Sequence, residues 1–427
     1  MFILMIVVFV IGYMCIALEH SLHINKSATA LFLGTLMWVL GIHYMPEAHV
    51  HLAEDLGEVA EILFFLLGAM TIVEIVDVHG GFRIITDKIS TTKKSTLLWV
   101  IGSLTFFMSA ALDNLTTSIV MIALLRKMID DKHDRWFYAG IVILAANAGG
   151  AWSPIGDVTT IMLWIAGKFT SGHIIAVTFL PSAVSLIIPI LVLSFVMKGH
   201  VSRPKATADA AAYSLQITNK ERNLVFFLGI GALLFVPVFK MLTHLPPYLG
   251  MLGGLAVLWI VTGFIHKGRS DDDIDHLSVN NILTRIDTPS ILFFLGILMA
   301  VNALQECGHL AMLSASLDKI PLDEPNKYYL ITVIIGALSS IVDNVPLVAA
   351  AIGMYDFPTN HYFWEFLAYA AGTGGSILII GSAAGVAVMG LEKINFIWYL
   401  KKISWLAMLG YLAGAGAYIL QNKLLAS

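Results

Sequence analysis

Charge is scarce in this 427-residue sequence. Asp, Glu, Lys and Arg make up 13% of it, about half the share of an ordinary soluble domain. Apolar residues make up 58%, and the mean hydropathy is +0.83. A soluble fold has nowhere to hide that much apolar surface, so the solvent is lipid. Basic residues are not in excess. The net charge is −4 and no Lys/Arg stripe is present, which argues against a nucleic-acid partner. There are only two cysteines, Cys15 and Cys307, both in or beside apolar segments. A disulfide framework is excluded, and their spacing fits no zinc pattern. No nucleophile–base pair or phosphate loop is visible, so neither an enzyme nor a cofactor is expected, and no soluble partner is implied. The first apolar run has no basic n-region or small-residue cleavage site, so it reads as an uncleaved helix rather than a signal peptide. No organelle transit peptide is visible.

Long apolar runs, in contrast, are abundant. Ten segments can cross a bilayer of about 30 Å as helices: 2–18, 28–45, 60–77, 137–166, 173–197, 223–241, 247–265, 290–306, 362–391 and 396–420. Two further stretches, 97–125 and 328–355, need another reading. Stretch 97–125 lies between two basic clusters, Arg83, Lys88, Lys93 and Lys94 on one side and Arg126, Lys127, Lys132 and Arg135 on the other. Basic loops stay cytoplasmic, and a single crossing would put one cluster outside. A re-entrant hairpin leaves both inside. Its 29 residues make about 43 Å of helix, suited to two short arms. With both stretches threaded as hairpins, 20 of the 25 basic residues fall inside, and Lys168, Lys240, Lys319, Lys327 and Lys423 fall outside. Both termini then end outside.

The two halves resemble each other. Ile62-Leu63-Phe64-Phe65-Leu66 recurs as Ile291-Leu292-Phe293-Phe294-Leu295, and Asp113-Asn114 recurs as Asp343-Asn344. Ala145-Ala146-Asn147-Ala148-Gly149-Gly150 recurs as Ala370-Ala371-Gly372-Thr373-Gly374-Gly375. The expected fold class is an all-α polytopic membrane protein built from two inverted repeats, each of five transmembrane helices plus one re-entrant hairpin. The repeats cover 1–198 and 223–427, joined by a polar cytoplasmic linker, 199–222. The acidic run Asp271-Asp272-Asp273-Ile274-Asp275 reads as a solvated loop, since the glycine and spacing of an EF-hand are missing.

Ionisable groups at membrane depth are candidates for function. Three acids qualify: Asp113 and Asp343 at the hairpin tips, and Asp157 in the fourth crossing. Glu74 is less deep. At a hairpin tip, Asp and Asn can also serve simply as caps for the second arm. The run from Asn147 to Thr160 holds Gly149, Gly150, Pro154 and Gly156 and predicts a broken helix at mid-membrane. Irregular backbone is tolerated there only where it lines a cavity or is buried in protein. Carbonyl oxygens, Asp157, Thr159 and Thr160 form a hard-oxygen set suited to a small cation. The counterpart, Gly372 to Ser382, keeps glycines and the hydroxyls of Thr373, Ser376 and Ser382 but has no acid. Carboxylates with no buried basic partner repel anions. Loss of water disfavours the charged form of a carboxylate, so a dry site holds either a proton or a cation. One site that accepts either ion, never both, gives exchange. His49, His51, Glu47, Glu54 and Asp55 read as solvated loop residues, with a metal site or pH sensor as the lesser reading.

The motifs Ala111-Leu112-Asp113-Asn114-Leu115-Thr116-Thr117, Ala146 to Thr160, and Ser340-Ile341-Val342-Asp343-Asn344-Val345-Pro346-Leu347 carry a resemblance. With them the chain resembles the NhaD-type sodium/proton antiporters of the ion transporter superfamily, from about residue 28 onward. The resemblance implies export of cytoplasmic Na⁺ or Li⁺ in exchange for external H⁺, in a bacterial inner membrane. It implies that Asp113, Asn114, Asn147, Asp157, Thr159, Thr160, Ser339, Asn344, Ser376 and Ser382 line the ion path, with Na⁺ or Li⁺ at Asp113 and Asp157. Asp343 and Thr373 are added from the residue-level reading. It also implies a homodimer, scaffold helices over 2–45 and 223–265, and mobile cores over 60–197 and 290–420. The alternative is a Na⁺-coupled anion or dicarboxylate symporter of the same superfamily.

Overall fold

The computed structural model describes residues 2–17, 19–22, 24–45, 51–86, 88–203, 217–267, 277–341 and 343–425. Part of the linker and the acidic run at 271–275 lie outside the described residues, as do Glu47 and His49. Among the described residues the chain is helical throughout, apart from an isolated bridge between Lys93 and His200.

The first half runs α1 (Phe2–Ala17), α2 (Lys26–Tyr44), α3 (Leu52–Val78), α4 (Lys94–Leu112), α5 (Asn114–Met128), α6 (Lys132–Gly150), α7 (Val158–Ile165) and α8 (Ser171–Val196). The second half runs α9 (Asn219–Thr243), α10 (Pro247–His266), α11 (Thr288–Glu306), α12 (His309–Leu317), α13 (Asn326–Leu338), α14 (Asn344–Met354), α15 (Tyr362–Gly374), α16 (Ala383–Glu392), α17 (Phe396–Lys402) and α18 (Ser404–Leu425). Short helical turns cover Glu19–Leu22, Arg83–Thr86 and Val279–Leu283. Among the described residues six helices, α3, α4, α8, α9, α10 and α11, are each long and apolar enough to cross a membrane.

Three expected spans are not continuous helices. The segments 137–166 and 362–391 are each two half-helices, α6 with α7 and α15 with α16. The segment 396–420 is α17 and α18, bent by 50° around Ile403. Glycine-rich runs cause the first two breaks. A glycine loses more freedom in a helix than alanine does, and Pro154 removes a donor.

Both apolar stretches fold back as hairpins. Leu112 ends α4, Asp113 turns the chain, and Asn114 starts α5. The first arm is longer than expected, 19 residues or about 28 Å. The outer ends of the two arms meet, because Lys94 pairs with Asp134 at 2.6 Å just beyond α5, and Tyr138 donates to the Lys94 carbonyl at 2.8 Å. The same end of the molecule holds the C-terminal end of α8, where the Val201 amide donates to Thr92 O at 2.8 Å and the Asp130 amide to Ser202 O at 2.9 Å. The second hairpin, α13 and α14, has its ends joined by Tyr328, whose ring stands 5.6 Å from Tyr355 and 5.0 Å from Phe357. These ends lie by the N-terminal end of α8, where the Asn360 amide donates to Lys168 O at 2.9 Å. α8 has 26 residues, about 39 Å. The two hairpins therefore enter from opposite ends of it.

Candidate ion-binding site

Each hairpin tip and each helix break starts a new helix in mid-molecule. A helix start carries unpaired amides and a partial positive charge. The sequence answers with an N-cap at each one. Asp113 caps α5, with Oδ1 accepting from Thr116 N at 2.8 Å and Oδ2 from the Thr116 hydroxyl at 2.8 Å. Asp157 caps α7, accepting from the Thr159 amide at 2.9 Å and its hydroxyl at 2.8 Å. Asp343 caps α14 through Val345 N at 3.2 Å, and Ser382 caps α16 through Gly385 N at 3.1 Å. Three of the four positive helix ends thus face a fixed carboxylate.

Hydrogen bonds join the four starts into one cluster. Asn114 Nδ2 donates to Asp157 Oδ2 at 2.6 Å and to Asn147 Oδ1 at 3.0 Å. Asn344 Nδ2, from the other half, reaches Asp157 Oδ1 at 3.4 Å. Asn147 Nδ2 donates to Ser376 Oγ at 2.8 Å and Ser382 Oγ at 2.9 Å. Asp157 is 1% exposed and Asn147 fully buried. The bonds at Asp157 come from neutral amide and hydroxyl donors.

Close glycine contacts make this convergence possible. A Cβ at Gly149 would lie 2.2 Å from Phe106 O, and one at Gly374 would lie 1.9 Å from Gly336 O. Nothing larger than glycine lets the broken helix of each half cross its hairpin. The crossings are then pinned by Ser109, which donates to Ala146 O at 2.6 Å, and by Ser339, which donates to Ala371 O at 2.9 Å.

The expected site residues therefore divide. Asn114, Asn147, Asp157, Asn344, Ser376 and Ser382 meet in one cluster, and Thr159 binds the Asp157 carboxylate directly. Thr160 completes the α7 capping box, its hydroxyl oxygen accepting from the Asp157 amide at 3.2 Å and donating to Asp157 O at 2.8 Å. Thr373 turns back to Tyr369 O at 2.6 Å, and Ser339 serves the helix crossing. Asp113 and Asp343 are partly exposed and turn to their own helices. Asp113 sits at φ 75°, ψ 161°, a region that glycine ordinarily fills. Such strain costs on the order of 1–3 kcal/mol and collects at functional sites. His51 pairs with Glu54 at 3.7 Å on the surface.

Two buried acids escape the sequence reading. Glu392 is 3% exposed and bridges Arg126 at 2.6 Å and Arg135 at 2.7 Å. Glu365, also 3% exposed, lies 2.7 Å from His173 Nε2 and accepts from Tyr418 at 3.0 Å. Both stand near helix ends, where sequence alone does not separate a solvated carboxylate from a paired one.

The chain is similar to proteins of known class over nearly all its length. It is 49% identical to sodium/proton antiporter 1 of Arabidopsis thaliana, over 98% of this chain and 72% of that protein. It is 31% identical to the Na⁺/H⁺ antiporter NhaD of Vibrio cholerae, over 98% of this chain and 91% of that one. The chain belongs to the NhaD-type sodium/proton antiporter family. The family profile described as "Citrate transporter" also matches, over residues 13–374. The fold of this NhaD-type chain is similar to that of the YdaH transporter of Alcanivorax borkumensis, with a TM-score of 0.59 at 10% identity, covering 94% of this chain and 98% of that one. A NhaD-type protein is a multi-pass membrane transporter, which agrees with the apolar helices described above.

Proposed function

We propose that this protein exchanges Na⁺ or Li⁺ for H⁺ across a bacterial inner membrane, exporting sodium from the cytoplasm against entry of external protons. One observation carries the reading: a single buried carboxylate, Asp157, stands where four helix starts meet, surrounded by neutral oxygen and amide groups. Among the described residues no lysine or arginine bonds to it. An ionised Asp157 attracts a small cation, and protonated Asp157 does not. Oxygens of Asp157, Thr159, Asn147, Ser376 and Ser382 supply a hard-ligand set. At the alkaline cytoplasmic face Asp157 gives up its proton and admits Na⁺. The site then turns outward, and protons displace the ion.

The two hairpins entering from opposite ends of α8, with the matched helix breaks, support an inverted-topology repeat with both termini outside. We assign the scaffold to helices within 2–45 and 223–265 and the moving cores to 60–197 and 290–420, with a homodimer as the assembly. Asp113 and Asp343 flank the path from their caps.

A second reading rests on the "Citrate transporter" profile match and on the anion affinity of helix starts. It makes the protein a Na⁺-coupled carboxylate symporter. Proteoliposomes with an acid interior and an entrapped pH dye separate the two. Dequenching on adding NaCl or LiCl, whatever the anion, is the expected result. Silence with both chlorides, with labelled succinate entering alongside sodium, would overturn the antiport reading.

A further inference from the structure

The half-helices that hold the site in place also point away from it. α7 is capped by Asp157, and α14 starts at Asn344. Five residues on, about 8 Å along each axis, stand Met162 and Ala349. Both line a cavity of about 640 Å³. Its other walls come from α3 and α11. Glu58 and Glu61, three residues apart on α3, and Asn302 on α11 are among the acidic and amide residues in its lining. Tyr355 lines it too.

Two lysines stand by the cavity, Lys168 in its lining and Lys240 within electrostatic reach of Glu61, and each is held by other groups. Lys168 lies 3.9 Å from Asp356 and 4.7 Å from the Trp364 ring. Lys240 donates to Trp164 O at 2.7 Å and sits over its ring at 4.5 Å. The cavity opens at the end of the molecule that holds Lys168 and Asp356. The basic clusters around Lys94, Arg126 and Arg135 mark the other end. There, the cavity lined by Asp343 measures about 70 Å³ and the one lined by Asp77, Arg83 and Lys127 about 140 Å³. The cavity at the Asp356 end is several times larger than either.

We infer that the cavity between α3, α7, α11 and α14 is the outer ion route, and that this structure is the outward-facing state of the carrier. The inference rests on the antiport reading and on the cytoplasmic placement of the basic end. Glu58 and Glu61 raise the local cation concentration at the mouth, as a carboxylate-lined cleft does. Asn302 replaces part of the ion's water on the way to Asp157.

The test uses the full-length protein in oriented proteoliposomes, with Cys15→Ser and Cys307→Ser to remove the native thiols. Asn302→Cys and Ala349→Cys probe the wall and floor, and Asp356→Cys marks the rim. A membrane-impermeant thiol reagent is added from one side at a time, without sodium. All three cysteines are expected to react from the Asp356 side and none from the basic side. Reaction of Ala349→Cys from the basic side overturns the assignment. So does an unreactive Ala349→Cys or Asn302→Cys while Asp356→Cys is labelled. Labelling needs no transport, so it stands or falls apart from the dye assay. Glu58→Gln with Glu61→Gln is expected to raise half-saturating external Na⁺ about two- to fivefold, more at low ionic strength. An unchanged value overturns the role of the two carboxylates.

Discussion

The two helix breaks use the same backbone for different chemistry. In the first, Gly149 passes Phe106 O, Gly150 faces Gly156 O, and Gly156 lies against Ser109 O. In the second, Gly374 passes Gly336 O, Gly375 faces Gly381 O, and Gly381 lies against Ser340 O. Ser109 and Ser339 bond the carbonyls of Ala146 and Ala371 in the same way. The N-caps then diverge. Asp157 caps the first new helix, and Ser382 the second. The duplicated part solves a packing problem, the crossing of two short helices at mid-membrane. The unduplicated part carries charge. One buried carboxylate serves both halves, and the second half contributes neutral groups, Asn344, Ser376 and Ser382, around it.

Removing the carboxylate should break the comparison most sharply. Asp157→Asn should lower sodium-driven proton movement by about 100-fold, roughly the 3 kcal/mol expected when a charged partner is lost. Ser382→Ala should cost less than about tenfold, because Ser376 still accepts from Asn147. Initial rates in the dye assay measure both, and equal losses would mean that the caps are equivalent after all. The glycines should behave alike. Gly149→Ala and Gly374→Ala should each destabilise by about 1–3 kcal/mol or prevent folding, since a methyl meets a backbone carbonyl. Thermal melting in detergent reads this, and a harmless substitution in one half alone would end the packing equivalence.

Proton competition at one carboxylate sharpens the asymmetry further. Half-saturating Na⁺ should rise by up to about tenfold per pH unit of acidification, the limit for one proton at one site. A steeper rise would bring Asp113 or Asp343 into the same titration. The smallest effects belong to the crossing serines. Ser109→Ala and Ser339→Ala should each cost about 1 kcal/mol in stability, one buried hydrogen bond, and leave ion affinity within about twofold.

The features legible in sequence are local ones. Gly149, Gly150, Pro154 and Gly156 announce a break because their effect on a helix does not depend on neighbours. Lys94 and Arg126 announce a hairpin because charge cannot rest in lipid. The features that were not legible depend on direction. Thr373 looks like a ligand on paper, yet its hydroxyl turns to Tyr369 O one turn back. Asp113 looks as deep as Asp157, yet its carboxylate is spent on Thr116. Glu392 looks like a loop acid, yet two arginines enclose it.

Sequence alone determined that this chain dissolves in lipid, where its two glycine-rich helices break, that a tip Asp can cap a hairpin arm, and which family it resembles. Each of these follows from solvent preference or from chain conformation within a few residues. Only the tertiary structure decided that Asn344 reaches Asp157 across 187 residues of chain, that Asn147 links Asp157's neighbour Asn114 to Ser376 and Ser382, and that a cavity runs down α7 and α14 from one end. Such contacts depend on how far apart two backbones pass. At the crossings, that distance is set by glycines whose missing side chains count only once the opposing helix is in place.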